Sequence, residues 1–263
     1  MKRLVLPLAL LVAIAAAVAA AWFFLDRSFR AGGASRGGEL TSEQRALPPF
    51  SRLVVGGVAD ITLVQGAAEA VKFEAPTKQM GRVRVEVRDG TLHIANGNTG
   101  HFLSFLFGGS TRPLRATITF RDLQAVEIAG EAKLRAEGWK AERLAISISG
   151  DGTVRIAGLD TKDLTISASG AVKADISGRA TDQRLSISGA VDYRAAGLAS
   201  ENTRVSVSGA AKVFVNATKT LKVSISGAGS VDYLGDPKVT QDISCMGRVK
   251  RRESAQYAVP SIA

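Results

Sequence analysis

The sequence predicts an all-β protein, specifically a right-handed parallel β-helix with about 20 residues per rung, preceded by an N-terminal apolar helix. Three observations support this fold class. A serine-glycine phrase returns about every 20 residues through the second half of the chain. Apolar residues alternate with small polar residues inside each phrase, and the 3.6-residue apolar spacing of an amphipathic helix is absent there. A fixed period of this size is typical of solenoids, whose units bury their apolar faces against one another.

Each phrase is an alternating segment that ends in glycine. In the copy Ile146-Ser147-Ile148-Ser149-Gly150, we expect the isoleucines to point inward and the serines outward, because side chains alternate along a strand. The glycine supplies a turn conformation that residues with a Cβ rarely adopt. The phrases end at Gly130, Gly150, Gly170, Gly189, Gly209, Gly227 and Gly247.

A second short strand follows each glycine and is anchored by one apolar residue. The gap from the glycine to this anchor is four residues in Gly150 to Val154 and two in Gly170 to Val172. Both gaps are even, so the inward face is kept. The anchors are Leu134, Val154, Val172, Val191, Val213, Val231 and Val249.

The N-terminus carries an export signal. Lys2-Arg3 precedes an uncharged run from Leu4 to Leu25, which is long enough to cross a bilayer as a helix. We expect an uncleaved inner-membrane anchor with its basic end in the cytoplasm. The small residues Ala17-Val18-Ala19 and Ala19-Ala20-Ala21 leave a cleaved signal peptide, and hence a soluble periplasmic protein, as the alternative.

The predicted domain organisation has four parts. Residues 1–25 are the signal-anchor or signal peptide helix, and residues 26–48 are a flexible linker rich in glycine, serine and polar residues. Residues 49–252 form the β-helix domain, whose first part lacks the phrase but contains the hairpin signal Asp89-Gly90. Residues 253–263 are a C-terminal tail.

Several of these segments together resemble a known bacterial family, the "putative auto-transporter adhesin, head GIN domain". The resemblance covers roughly residues 50 to 252. It implies an exported right-handed parallel β-helix, often tethered to an envelope membrane, with no demonstrated activity and no catalytic residues to carry over. The segments that carry it are Phe50 with Val54-Val55, Gly56-Gly57-Val58, Val64-Gln65-Gly66, the hairpin from Asp89 to Ile94, the serine-glycine phrases, and Tyr233-Leu234-Gly235-Asp236-Pro237-Lys238-Val239 leading to Ile243-Ser244.

The charge distribution excludes one class of partner. The net charge of +10 is spread along the chain and mixed with acids. The tight basic run at Lys250–Arg252 is expected to be a solvated end cap. Since basic residues interleaved with stacking aromatics are absent, we predict no nucleic-acid binding. A mild attraction to anionic lipid or polysaccharide stays compatible with this charge.

Catalytic and metal-binding signals are sparse, and we predict no enzyme activity, cofactor or metal. His93 and His101 are expected to be surface residues without a partner signature. Cys245 is the single cysteine, so the chain has no internal disulfide; we expect it to be inert, with an intermolecular disulfide as the alternative.

The alternative function is cleavage of a polysaccharide by a lyase or hydrolase. Asp192 and Asp232 are predicted to lie two rungs apart in one column, about 10 Å by strand spacing, near the outer end of the range for an inverting pair. Phe214 is predicted to separate them. The full column, one residue after each apolar anchor, reads Arg135, Arg155, Lys173, Asp192, Phe214, Asp232 and Lys250.

The outward serines are the candidate interaction face. Stacked rungs would align them into two hydroxyl rows that contact a sugar, an envelope protein or a second copy of the chain. The alternative is that serine is simply small and soluble, and an ice-binding face is a third, remote option. The ten residues are Ser147, Ser149, Ser167, Ser169, Ser186, Ser188, Ser206, Ser208, Ser224 and Ser226.

An aromatic cluster at Phe102–Phe107 has two interpretations: a plug for the N-terminal end of the core, or an exposed patch for a partner or membrane.

Together these patterns predict an envelope-anchored binding or structural module, a putative adhesin-like protein held at the inner membrane with its β-domain in the periplasm or outside the cell.

Overall fold

A computed structural model describes residues 40–76, 83–96, 113–244 and 246–253. Residues Glu39–Ala263 cluster into one compact unit. The predicted helix over 1–25, the Phe102–Phe107 cluster, His101 and Cys245 lie outside the described residues.

The described residues contain β-strands and no helix, in agreement with the all-β class. The strands belong to one sheet with the order β1-β3-β6-β2-β7-β8-β9-β10-β11-β13, in which β5 also pairs with β2 and β4, and β12 with β10. Their bounds are β1 Leu40–Ala46, β2 Arg52–Gln65, β3 Ala70–Pro76, β4 Val83–Arg88, β5 Thr91–Asn96, β6 Leu114–Phe120, β7 Ala125–Glu137, β8 Lys140–Ile187, β9 Ala190–Val207, β10 Ala210–Ile225, β11 Ala228–Leu234, β12 Lys238–Ile243 and β13 Arg248–Arg251.

The predicted right-handed parallel β-helix is wrong, because the sheet is mixed. Strand β3 pairs antiparallel with both β1 and β6, and β4 pairs antiparallel with β5. The physical reason lies in the part of the domain that lacks the phrase. There the chain reverses in a tight hairpin at Asp89 and Gly90, whose φ angles of 48° and 69° are both left-handed.

Strand β1 occupies residues for which the sequence predicts a linker. Leu40 to Ala46 pair residue by residue with Pro76 to Ala70 of β3. β1 is therefore the edge strand at this end of the sheet, and it runs antiparallel to its neighbour β3.

The predicted N-terminal apolar helix finds no counterpart in the described residues. None of them forms a helix that is long and apolar enough to cross a membrane.

From β7 to β10 the serine-glycine phrases pair in parallel and in register. The last copy is offset by two residues, since Val231 is paired with Val249 and Gly247 therefore lies opposite Gly229. Gly130 of β7 is paired with Gly150 of β8, and Leu134 with Val154. Leu185 of β8 is paired with Val205 of β9, which is paired with Val223 of β10. Equivalent positions of successive phrases therefore lie side by side, about 5 Å apart.

The phrase-ending glycines are in direct backbone contact. A Cβ added to Gly170, which has a φ of +145°, would lie 2.0 Å from the carbonyl oxygen of Gly150. Gly150 has the same relation to Gly130, at 2.3 Å. A side chain at these positions would meet both left-handed backbone strain and backbone atoms that cannot move aside.

The core is built by the predicted alternation. Ile146 and Ile148 are buried between the exposed residues Ala145, Ser147 and Ser149. The same pattern continues through the phrases, so one continuous apolar cluster runs from Phe50 to Val231. Burial of this cluster supplies the main driving force for folding.

One polar network interrupts the apolar core between β8, β9 and β10. The Gln183 amide donates to the Tyr193 hydroxyl at 2.6 Å, and the Gln183 side-chain oxygen lies 3.2 Å from the Ser200 hydroxyl. Ser200 also lies 2.7 Å from Thr203, and its hydroxyl donates to the Asn216 carbonyl at 2.7 Å. Burial raises the pKa of Tyr193, against an opposing effect of the hydrogen bond from Gln183. The network is internally satisfied, as buried polar groups must be.

We expect Gly170→Ala to lower the free energy of unfolding by about 3 kcal/mol or more, since the new methyl group meets the Gly150 carbonyl at a strained φ. Urea denaturation followed by circular dichroism measures this change. The control is Gly56→Ala, because nothing lies within 4 Å of a Cβ at Gly56 and its φ is not left-handed. Equal effects of the two substitutions would contradict the close backbone contact.

We expect Tyr193→Phe to destabilise the protein by about 1 kcal/mol at pH 8, because the hydrogen bond from Gln183 is lost. The folded-state pKa of Tyr193 is raised, so its contribution to stability is complete below the unfolded pKa near 10 and declines above it, by up to about 1.4 kcal/mol per pH unit. Urea unfolding at pH 8 and pH 11 should show the difference between wild type and variant vanishing at the higher pH. A constant difference would mean that Tyr193 ionises freely in the folded state.

Candidate interaction face

The structure brings the ten predicted serines together as two adjacent rows, here called the serine face. Ser186 of β8 is paired with Ser206 of β9, which is paired with Ser224 of β10. All ten serines are exposed except Ser167, which is half-buried. They line a shallow groove of about 490 Å³, which is also lined by the residues between them, Ile148, Ala168, Ile187 and Val207, whose side chains are buried on the core side.

The hydroxyls of the serine face are available for a partner in most positions. Ser208 and Ser226 hydroxyls approach the carbonyls of Ile187 and Val207 at 3.3 and 3.5 Å. Each hydroxyl can donate one hydrogen bond and accept others, so the rows suit a polar partner that carries both donors and acceptors.

A row of cations, here called the basic row, runs along one border of the serine face. Arg184 of β8 is paired with Arg204 of β9, which is paired with Lys222 of β10. All three side chains are exposed, and each lies two residues before the first serine of its phrase. They therefore point to the same side of the sheet as the serines.

The basic row places three cations on consecutive strands, whereas several other charged positions of the sheet present opposite charges on neighbouring strands. Arg179 donates to both carboxylate oxygens of Asp160, at 2.8 and 2.6 Å. Its hydrogen bond lowers the pKa of that carboxyl group. Lys162 lies 2.8 Å from Glu142. Opposite charges side by side stabilise a sheet, whereas like charges directly opposite destabilise it.

Acidic residues lie at the edges of the face and not along the basic row. Asp163 is 3.5 Å from Arg184 and 3.8 Å from Arg143. Glu127 precedes the first serine row, where it is paired with Ser147, and Asp242 ends that row, where it is paired with Ser224. Five serines thus lie between two carboxylates.

A second, larger groove lies on the other side of the glycines and was not predicted from the sequence. Its volume is about 990 Å³, and its floor includes the exposed alanines Ala171, Ala190, Ala210 and Ala228. One wall carries Lys133, Lys173, Lys212 and Arg248, which occupy alternate strands and are separated by Thr153, Asp192 and Ser230.

The structure does not place Asp192 and Asp232 in one column. Asp192 is paired with Lys212, whereas Asp232 is paired with Phe214, which is paired with Arg194. The predicted column fails because Val191 is paired with Ala211 and not with the anchor Val213. Gly189 and Gly209 are aligned, so the anchors that follow them by two and four residues fall in different columns.

Each of the two carboxylates already has an arginine. Arg194 donates to both oxygens of Asp192, at 3.2 and 2.7 Å, and Arg252 donates to Asp232 at 3.1 Å. Two separately paired carboxylates do not resemble the facing acid and base of a glycosidase, which share one bond of the substrate.

Other candidates for chemistry find no partners among the described residues. His93 is exposed on β5 between Val54 and Glu86 of the neighbouring strands. No group of three or more His, Cys, Asp or Glu side chains in the described ranges could hold a metal ion.

The signal for the basic row is present in the sequence. Arg184, Arg204 and Lys222 share one offset from their phrases, and aligning phrases on the glycine brings them into one row. Columns counted from the apolar anchors do not align these three residues, because the distance from the glycine to the anchor varies between phrases.

The family comparison matches residues 49–237 to the family described as "Putative auto-transporter adhesin, head GIN domain". The chain belongs to this family. The match includes the hairpin, all strands from β2 to β11 and the whole serine face. No curated protein matches the chain.

Solved structures share the fold of this GIN-domain protein. A putative adhesin from Bacteroides fragilis has 21% sequence identity and a TM-score of 0.72, over 84% of this chain and 100% of that one. A putative lipid binding protein from Parabacteroides distasonis has 16% identity and a TM-score of 0.63, over 82% and 98% of the two chains. A putative adhesin from the same species has 22% identity and a TM-score of 0.59, with the same coverage.

We expect Arg204→Gln to raise the free energy of unfolding by about 0.5 kcal/mol in low salt, because it separates Arg184 from Lys222 by an uncharged side chain. Urea denaturation at low and at 1 M NaCl measures the gain, which should shrink at high salt as the repulsion is screened. Lys162→Gln removes a cation that is paired with Glu142 and should not stabilise the protein. Equal stabilisation by both variants would mean that net charge, and not the basic row, is responsible.

Proposed function

We propose that this GIN-domain protein is an exported, non-enzymatic binding module whose serine face engages a glycan or a protein of the cell envelope. The observation that carries the proposal is the continuity of the exposed serine rows over neighbouring strands. The family description and the adhesins among the structural neighbours support an adhesin-like role at the coarser level.

The physical character of the face favours a polar, extended partner. Serine side chains are short, so a partner can approach the sheet closely and little side-chain entropy is lost on binding. The rows offer many weak hydrogen bonds over a long surface and no deep pocket, which suits a chain-like or flat partner better than a small substrate.

An apolar partner is disfavoured by the composition of the described surface. Val239 and Met246 are the large hydrophobic side chains that the described residues expose, and neither belongs to the serine face. A lipid-binding surface would need a contiguous apolar patch.

The apolar segment from Leu4 to Leu25 is proposed to tether the protein to the inner membrane, with the sheet on the periplasmic or outer side. Cell fractionation with N-terminal sequencing tests this part. A mature N-terminus after residue 17 or later would replace the anchor with a cleaved signal.

We expect the triple substitution Ser186→Gln, Ser206→Gln and Ser224→Gln to reduce partner binding at least tenfold, since three longer side chains would cover the first serine row. The measurement uses the full chain on an array of neutral and acidic glycans and on immobilised wild-type protein. The serine-substituted protein should keep the wild-type circular dichroism spectrum, because all three positions are exposed.

The matched control is Ala171→Gln, Ala190→Gln and Ala210→Gln, three exposed positions on the other side of the glycines. This control should bind like wild type. Loss of binding in the alanine variant, with binding retained in the serine variant, would move the interaction to the larger groove and overturn the proposal.

A further inference from the structure

We propose that the serine face and the basic row together bind a linear acidic polysaccharide that lies across the strands, with anionic groups of its sugars facing Arg184, Arg204 and Lys222. This inference rests on the proposed function, since it names the chemical class of the partner of the serine face.

The spacing of the basic row matches a regular polymer. Its three cations lie on consecutive strands in unbroken register, so their Cα atoms repeat at the strand spacing of about 4.8 Å. The advance per sugar in an extended polysaccharide is close to one strand spacing. A polymer with one carboxylate or sulfate on each sugar can therefore place one anion opposite each cation.

Two of the three cations of the row have no ion pair within the described part of the chain. Asp163 lies 3.5 Å from Arg184 but is shared with Arg143. Neither Arg204 nor Lys222 has an ion pair with a described acid. An anion that bridges adjacent cations would relieve their repulsion, and arginine offers a carboxylate or sulfate two parallel hydrogen bonds.

The serine rows complete the site for a sugar polymer. They begin two residues after the basic row on the same side of the sheet, and their hydroxyls can donate to and accept from sugar hydroxyls. Hydrogen bonds of this kind tolerate a flat, water-covered surface and add up along a repeating ligand.

The ends of the face limit the length of the bound segment. Glu127 and Asp242 close the first serine row, and five serines lie between these two carboxylates. Five strands span about 20 Å between the first and the last, which corresponds to four or five sugars. An anionic sugar beyond either end would lie next to a carboxylate, so the favourable contacts of a longer polymer are confined to this segment.

Two other polyanions fit the face less well. No aromatic side chain belongs to the described residues that line the serine groove, so bases of a single-stranded nucleic acid would have no stacking platform. An anionic membrane would favour a broad basic surface with inserted apolar residues, whereas the basic row is a single line without them.

The larger groove supplies an internal comparison. Its cations Lys173 and Lys212 are separated by Asp192, so the charge alternates along the wall. The wall of the larger groove has about as many cations as the basic row, but no three of them lie on consecutive strands.

The test measures binding of the full chain to polygalacturonate and to dextran sulfate, with neutral galactan and dextran as controls. We expect Arg184→Gln, Arg204→Gln and Lys222→Gln together to weaken binding to at least one acidic polymer more than tenfold. The matched variant Lys133→Gln, Lys173→Gln and Lys212→Gln removes the same charge from the larger groove and should stay within twofold of wild type. Binding should also weaken as salt is added.

Three results would overturn the inference: no binding to either acidic polymer, equal losses in the two variants, or equal binding of acidic and neutral polymers. Binding to phosphatidylglycerol vesicles that depends on the basic row, without polymer binding, would assign the row to a membrane instead.

The serine variant separates this inference from the proposed function. If the serine triple variant loses a neutral or protein partner while acidic polymers never bind, the serine face stands and the acidic ligand is wrong. If acidic polymers bind through the basic row but the serine variant binds them normally, the serine face is wrong as the contact surface.

Discussion

Direct backbone contact between stacked glycines is the constraint on which the rest of this structure depends. Gly150 and Gly170 lie so close that a single methyl group on the second would overlap the carbonyl of the first. Because equivalent glycines must lie against each other, each phrase is held in one register relative to the next. A slip of one residue would expose the apolar side chains and bury the serines.

That register turns positions in the phrase into rows on the surface. Residues at one offset from the glycine become neighbours about 5 Å apart, so a serine at each copy becomes a hydroxyl row and a cation at three copies becomes a line of charge. A substitution at one offset changes one row and leaves the adjacent rows intact. The serine face, the basic row and the alanine-floored groove can therefore vary independently on one core.

The basic row departs from the charge pairing found at other positions of the sheet. Pairs such as Arg179 with Asp160 follow the preference of a sheet for opposite charges, while Arg184, Arg204 and Lys222 oppose it. Local departures from such preferences concentrate at functional sites, where an external ligand supplies the missing interaction. The carboxylates Asp192 and Asp232, in contrast, are each paired within the chain and leave no facing pair for hydrolysis.

The sequence by itself determined the all-β class, the inward set such as Ile146 and Ile148, and the alignment of the serines, because these follow from alternation and from glycine geometry within one phrase. Only the tertiary structure decided that the sheet is mixed, since β1 and β6 meet β3 through pairings between distant segments. It also decided which column holds Asp192. The two-residue spacing from Gly189 to Val191 determines which face of the sheet the Asp192 side chain lies on. The pairing of the whole strands determines that its neighbour is Lys212.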